Sequence, residues 1–254
     1  MFEMNNILLF SLIAMRISGF ILFNPILGRR NIPAIVKAGI ILVLSYIVIA
    51  QDTSDIVEAE NTIVYAVLLL KEFGVGLVIG TITNLFLYII ILSGEVMDLQ
   101  LGLSMSKIYD AQSNISLSLT STFFNILFML LFFSSNAHLA LIRLLLNSGE
   151  IVPYGGVVFD KVISSAIITI FCDCTVLALK FAMPILAAEI ITEIGVGIMM
   201  KAIPQIDVFS VNIQAKVILG LILLLILFTP MSDFIENLVE MMFQYIQEAI
   251  SLMA

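Results

Sequence analysis

Apolar residues dominate this chain in about six blocks, separated by short polar or Gly/Pro-marked breaks. The blocks run from about Met4 to Leu27, Ala38 to Ala50, Ile63 to Ser93, Phe123 to Leu146, Val162 to Ile191 and Val217 to Thr229. Runs of this kind predict helices, and a helix that crosses a bilayer needs about 20 residues. The second and sixth blocks, at about 13 residues each, are too short to span alone. Pro25, Gly28 and Pro33 break the chain after the first block, Pro184 is expected to kink the fifth, and Pro230 to end the sixth. The tail from Met231 to Ala254 carries Phe234, Leu238, Met241, Met242, Tyr245, Ala249 and Leu252 at a spacing that suits an amphipathic helix, with Asp233, Glu236, Glu240 and Glu248 interleaved. An acidic polar face is a poor match for anionic lipid, so this helix is expected to pack on a partner protein.

One stretch breaks the pattern. From Gly94 to Thr122 the chain carries Glu95, Asp98, Gln100, Lys107, Asp110, Gln112, Asn114 and many serines, with no apolar run long enough to span. Long irregular segments are functional or disordered in most proteins. At membrane depth, non-helical backbone survives only where protein or water surrounds it. The pattern leaves two readings open: a solvated loop between membrane helices, which is the commoner case, or a segment that lines or blocks a polar path.

Composition places the chain in a membrane. Of 254 residues, 61% are hydrophobic and 12% charged, against about 25% charged in soluble domains. With 11 Lys+Arg against 19 Asp+Glu, the net charge of −8 argues against a nucleic-acid partner. Glu3 stands where a signal peptide would carry basic residues, so the first block is expected to be retained. Arg29, Arg30 and Lys37 form the densest basic cluster, which the positive-inside rule puts on the cytoplasmic side. Cys172 and Cys174, two apart, point to different sides of a helix and read as small buried hydrophobes rather than a disulfide. With His138 as the single histidine there is no metal-ligand set, and a lone histidine near a helix end more commonly bonds locally than relays protons. No phosphate loop, HExxH or nucleophile–base set is present, so neither catalysis nor a cofactor is indicated.

Charges inside apolar blocks are the candidate functional groups. They are Arg16 in the first block, Lys71 and Glu72 in the third, and Asp173, Lys180 and Glu189 in the fifth; Asp207 lies in the polar turn that follows. Each needs a partner on another helix, another subunit, or water. Gly76 and Gly80, four apart, would let two helices approach closely. Short blocks, breaks and buried charges together fit a helical membrane subunit that neighbouring subunits complete around a polar path. They fit equally a small-molecule or ion secondary transporter with Asp173, Lys180 and Glu189 as its coupling site.

Specific motifs separate these readings. The chain carries Arg16-Ile17-Ser18-Gly19, Pro25-Ile26-Leu27-Gly28-Arg29-Arg30-Asn31-Ile32-Pro33, Lys71-Glu72-Phe73-Gly74-Val75-Gly76 with Gly80, Gly94-Glu95, Gly102-Leu103-Ser104, Met183-Pro184 and Ala202-Ile203-Pro204-Gln205-Ile206-Asp207-Val208-Phe209. Over most of its length it resembles the FliR family of flagellar biosynthetic proteins, which also includes the T component of virulence type III secretion systems. The last motif is the most specific; Asp207 replaces the usual Asn there, and Lys201 the usual Arg.

The resemblance implies a fold and a function. The fold is all-α: bent, membrane-associated helical hairpins that assemble into a helical export gate. Residues 1–150 would be a P-like part and 151–254 a Q-like part ending in the amphipathic helix. The partners would be the P and Q subunits, with the B and A subunits nearby, and unfolded flagellar proteins as substrates. The location would be the bacterial inner membrane at the flagellar basal body. The family also implies a channel plug, which falls here on Ser104, Met105, Ser106, Lys107, Ile108, Tyr109, Asp110, Ala111, Gln112, Ser113 and Asn114. The mid-block charges would make contacts within the chain or between subunits.

Overall fold

The structure, a computed structural model, describes residues 4–51, 61–103, 108–110, 115–202 and 208–254. These form α1 (Met4–Phe23), α2 (Ala34–Gln51), α3 (Thr62–Leu101), β1 (Ile108–Asp110), β2 (Ile115–Leu117), α4 (Leu119–Ser134), α5 (Ala137–Leu146), α6 (Ser148–Ile151), α7 (Lys161–Ala202), α8 (Val208–Ile226) and α9 (Phe228–Ser251). The all-helical fold read from the sequence is borne out, with one small β-hairpin added. Among the described residues two helices, α3 and α7, are long and apolar enough to cross a membrane, or up to four spans if each of two bent helix pairs counts as one.

The helices depart from the apolar blocks in instructive ways. α2 begins four residues before its block: the Pro33 carbonyl accepts from Val36 and Lys37, and Pro33 leaves no N–H unpaired at the helix start. α3 runs on through Gly94–Leu101, so the first part of the polar stretch is helix. It stops where Gly102 takes φ +75°, a left-handed cap that costs glycine nothing. The fourth block is two helices, split at Asn136, whose φ of 57° no continuing helix permits. α8 starts inside the expected polar turn, at Val208. Pro230 does not end a helix. It lies in the first turn of α9, where an absent N–H breaks no helical bond, and α8 and α9 meet there at 62°.

The chain packs as two compact units, with the divisions falling inside α3, α7 and α9. The first comprises Met1–Phe86, Asn136–Cys172 and Val239–Ala254. Its core holds Leu12, Ile13, Phe20, Val75 and Ile79, all fully enclosed, with Phe86 against Tyr245 at 5.7 Å between ring centroids. Here α1 and α3 approach until a Cβ on Gly76 would overlap the Arg16 carbonyl and sit 2.6 Å from the Phe20 nitrogen; at Gly80 it would meet the Phe20 carbonyl at 2.9 Å. The second unit comprises Leu87–Ser135 and Asp173–Leu238. Its core is aromatic: Phe124 meets Phe181 at 5.1 Å, and Phe181 meets Phe234 at 5.2 Å.

Two expectations are corrected. The apolar face of α9 is covered by this chain itself, with Met231, Ile235, Leu238, Met242, Ile246 and Ile250 buried and the acidic residues outward. An apolar stripe is satisfied by whatever lies nearest, and here that is the chain's own core. Cys174 is buried, but Cys172, two residues away, faces outward among exposed apolar groups of α7.

Candidate functional site

In the first unit the buried charges close on one another. Arg16 of α1 and Glu72 of α3 are 56 residues apart and both enclosed, and Arg16 Nε donates to Glu72 Oε2 at 2.6 Å. The remaining guanidinium nitrogens reach the 148–157 segment. Nη1 donates to Ser148 Oγ at 3.1 Å and Nη2 to the Val152 carbonyl at 3.0 Å. The Tyr154 ring lies 4.3 Å from the guanidinium carbon, a cation–π contact. Glu72 Oε1 accepts from the Gly155 N–H at 2.8 Å. Next door, Lys71 Nζ donates to the Val157 carbonyl at 3.0 Å.

This geometry meets the conditions under which charges can be buried at all. An isolated buried charge is prohibitively costly; a paired and hydrogen-bonded one is tolerated. Both oxygens of Glu72 are engaged, one by Arg16 and the other by the Gly155 N–H. Together the contacts tie α1, α3 and the 148–157 segment into one polar knot inside an apolar core. Sequence reasoning singled out Arg16, Lys71 and Glu72 but missed Ser148, Val152, Tyr154 and Gly155, which lie in the break between the fourth and fifth apolar blocks. The available signal was a serine and a tyrosine in that break.

In the second unit the polar stretch resolves into a stem and an insert. β1 and β2 pair antiparallel, with Ile108 opposite Leu117, Tyr109 opposite Ser116 and Asp110 opposite Ile115. Of the expected plug residues, Ile108, Tyr109 and Asp110 form β1; Ser104–Lys107 and Ala111–Asn114 lie outside the described residues, as does Asp207. The hairpin sits between the Gly102 cap of α3 and Ser118, which caps α4 by accepting from the Ser121 N–H.

The α7 charges are dispersed. Lys180 is exposed, Asp173 half-buried and Glu189 fully buried, with neither carboxylate oxygen of Glu189 bonded among the described residues. An ion pair that sequence reasoning missed joins Lys216 of α8 to Glu193 of α7. His138 is half-buried in the first turn of α5.

Fold and site together define a helical membrane protein that pairs Arg16 with Glu72 inside its apolar core and carries a β-hairpin insert between two helices. The sequence profile of the bacterial export proteins, family 1, matches residues 7–242. The chain belongs to that family. It is similar to the flagellar biosynthetic protein FliR of Bacillus subtilis strain 168, 24% identical over 251 residues, covering 96% of this chain and 95% of that protein. It is similar also to the FliR proteins of Buchnera aphidicola subsp. Schizaphis graminum (27% over 239 residues, 91% and 89% of the two chains) and Escherichia coli K12 (23% over 240 residues, 93% and 90%). The resemblance read from the motifs is thus borne out.

Proposed function

We propose that this chain is a non-enzymatic subunit of the flagellar type III protein export gate, in the bacterial inner membrane at the flagellar basal body. The observation that carries the reading is the family match from residue 7 to residue 242, with flagellar biosynthetic relatives aligned over almost the whole chain. In this reading residues 1–150 are the P-like part and 151–254 the Q-like part. The chain joins P and Q subunits, with B and A subunits nearby, in the mouth of a channel for unfolded flagellar proteins. The apolar faces that α7 leaves uncovered are what such neighbours or lipid would cover.

The segment Ser104–Asn114 is the channel plug. Its support is the hairpin: two paired strands of three residues have marginal stability at best in water, so this one needs a surrounding wall. Deleting Lys107–Asn114 is expected to leave co-purification with P and Q subunits intact while making the membrane leaky to ions. A membrane that stayed tight would overturn the plug. The buried contacts of Arg16, Glu72 and Lys71 hold the subunit in shape within the gate, and Asp173, Lys180, Glu189 and Asp207 are assigned to contacts with neighbours or within the chain. The transporter reading has less support, because the matched family is one of export proteins.

A further inference from the structure

The polar stretch holds a second feature, set in the stem rather than the insert. Asp98 lies one helical turn before the end of α3 and is fully buried. Its two carboxylate oxygens both serve Thr120, the second residue of α4: Oδ2 accepts from the backbone N–H at 3.2 Å and Oδ1 from the side-chain hydroxyl. Thr120 is itself buried. The next residue, Ser121, donates its hydroxyl to the Ile91 carbonyl at 2.8 Å, two turns further back along α3. Gly94 makes this approach possible, since a Cβ there would stand 2.5 Å from the Ser121 backbone. Thr120 and Ser121 thus bond the start of α4 to α3, and Ser118 caps that start through Ser121, all in a buried setting.

Such a seat has a consequence for the hairpin. Strands of three residues cannot fix their own direction. β2 ends at Leu117 and the chain passes through Ser118 straight into α4, so the seat of α4 on α3 bears directly on the direction of the strand pair. Asp98 joins α3 to that point through Thr120. A carboxylate at the start of α4 also suits the partial positive charge of that helix end. We infer that Asp98, acting through Thr120, is the positioning residue that aims the β1–β2 hairpin and thereby sets the ion barrier of the gate. The inference rests on the plug reading given above.

The test uses the complete gate complex in host membranes. Ion leak, co-purification of partner subunits and hydrogen exchange across 108–117 are measured for Thr120→Val, Thr120→Ser and the Lys107–Asn114 deletion. Thr120→Val keeps the volume and the backbone N–H but removes the hydroxyl; Thr120→Ser keeps the hydroxyl. Thr120→Val is expected to assemble, exchange faster across 108–117 and leak about tenfold more, the change that losing a buried bond to a charged group gives. Thr120→Ser is expected to stay tight, which a merely space-filling role would not require. If the deletion leaks while Thr120→Val assembles and stays tight, the coupling is overturned and the plug stands. A tight deletion variant overturns both. Should Thr120→Val fail to assemble, Asp98→Asn, which keeps size and one oxygen acceptor, is judged by the same leak. Failure of both to assemble makes Asp98 a folding residue only and overturns the proposal.

Discussion

The helices α3 and α7 are 40 and 42 residues long, and both pass as membrane spans on length and composition. Yet 61% of the most apolar stretch of α3 is buried inside the chain, against 22% for α7. The difference lies in what each helix offers its neighbours. α3 carries Gly76, Gly80 and Gly94, where another backbone comes within contact distance, and Glu72 and Asp98, whose partners lie on other segments of the same chain. α7 carries Gly195 and Gly197, where an added Cβ would meet nothing within 4 Å among the described residues, and turns Ile168, Phe171, Ile191 and Ile198 outward. Equal hydropathy therefore hides two roles. One helix is mostly covered by its own chain, and the other leaves most of its apolar surface open.

Substitutions on the two helices test that contrast. The largest effect is expected on α3: Arg16→Leu or Glu72→Leu strands a buried charge, at about 3–5 kcal/mol of stability. The thermal midpoint of the detergent-solubilised complex reads this, and the double variant is expected to cost less than the sum of the two. Next, Ile79→Ala on α3, fully enclosed, is expected to cost about 2–5 kcal/mol. Ile191→Ala on α7, 70% exposed, is expected to cost the chain less than about 0.5 kcal/mol. A comparable loss at Ile191 in the assembled complex would mean that partner subunits cover α7 as fully as the chain covers α3. Gly76→Ala forces α1 and α3 apart, for about 1–3 kcal/mol, whereas Gly195→Ala is expected to gain about 0.5–1 kcal/mol of helix stability. A loss at Gly195 instead would place a neighbouring helix on that face. The smallest effect belongs to Lys216→Met: its partner Glu193 is 46% exposed, so the pair is worth about 0–1 kcal/mol.

Much of the candidate site was legible before the fold, and the unread part has a common cause. Arg16, Lys71 and Glu72 were visible because a charge in an apolar block always demands an explanation. Their partners were not, because Val152, Gly155 and Val157 contribute backbone atoms, which every residue possesses. Asp98 was visible as one polar residue among many, but nothing local distinguishes it from Glu95, which is half-exposed three residues away. The boundary errors share a second cause. Hydropathy marks where a helix is greasy, and α3 and α8 both continue into polar sequence where other residues bind their polar groups: Asp98 through Thr120, and Lys216 through Glu193.

Composition, hydropathy and motifs were enough to read a membrane-associated helical protein, the rough course of its apolar segments, and the export family to which it belongs. Those follow from local composition and from motifs that survive in the chain order. Tertiary structure alone decided which apolar face is core and which is left for others, and which buried charge answers which. Both depend on residues 22 to 136 positions apart being brought within 3 Å or so, and no local pattern encodes a meeting at that range.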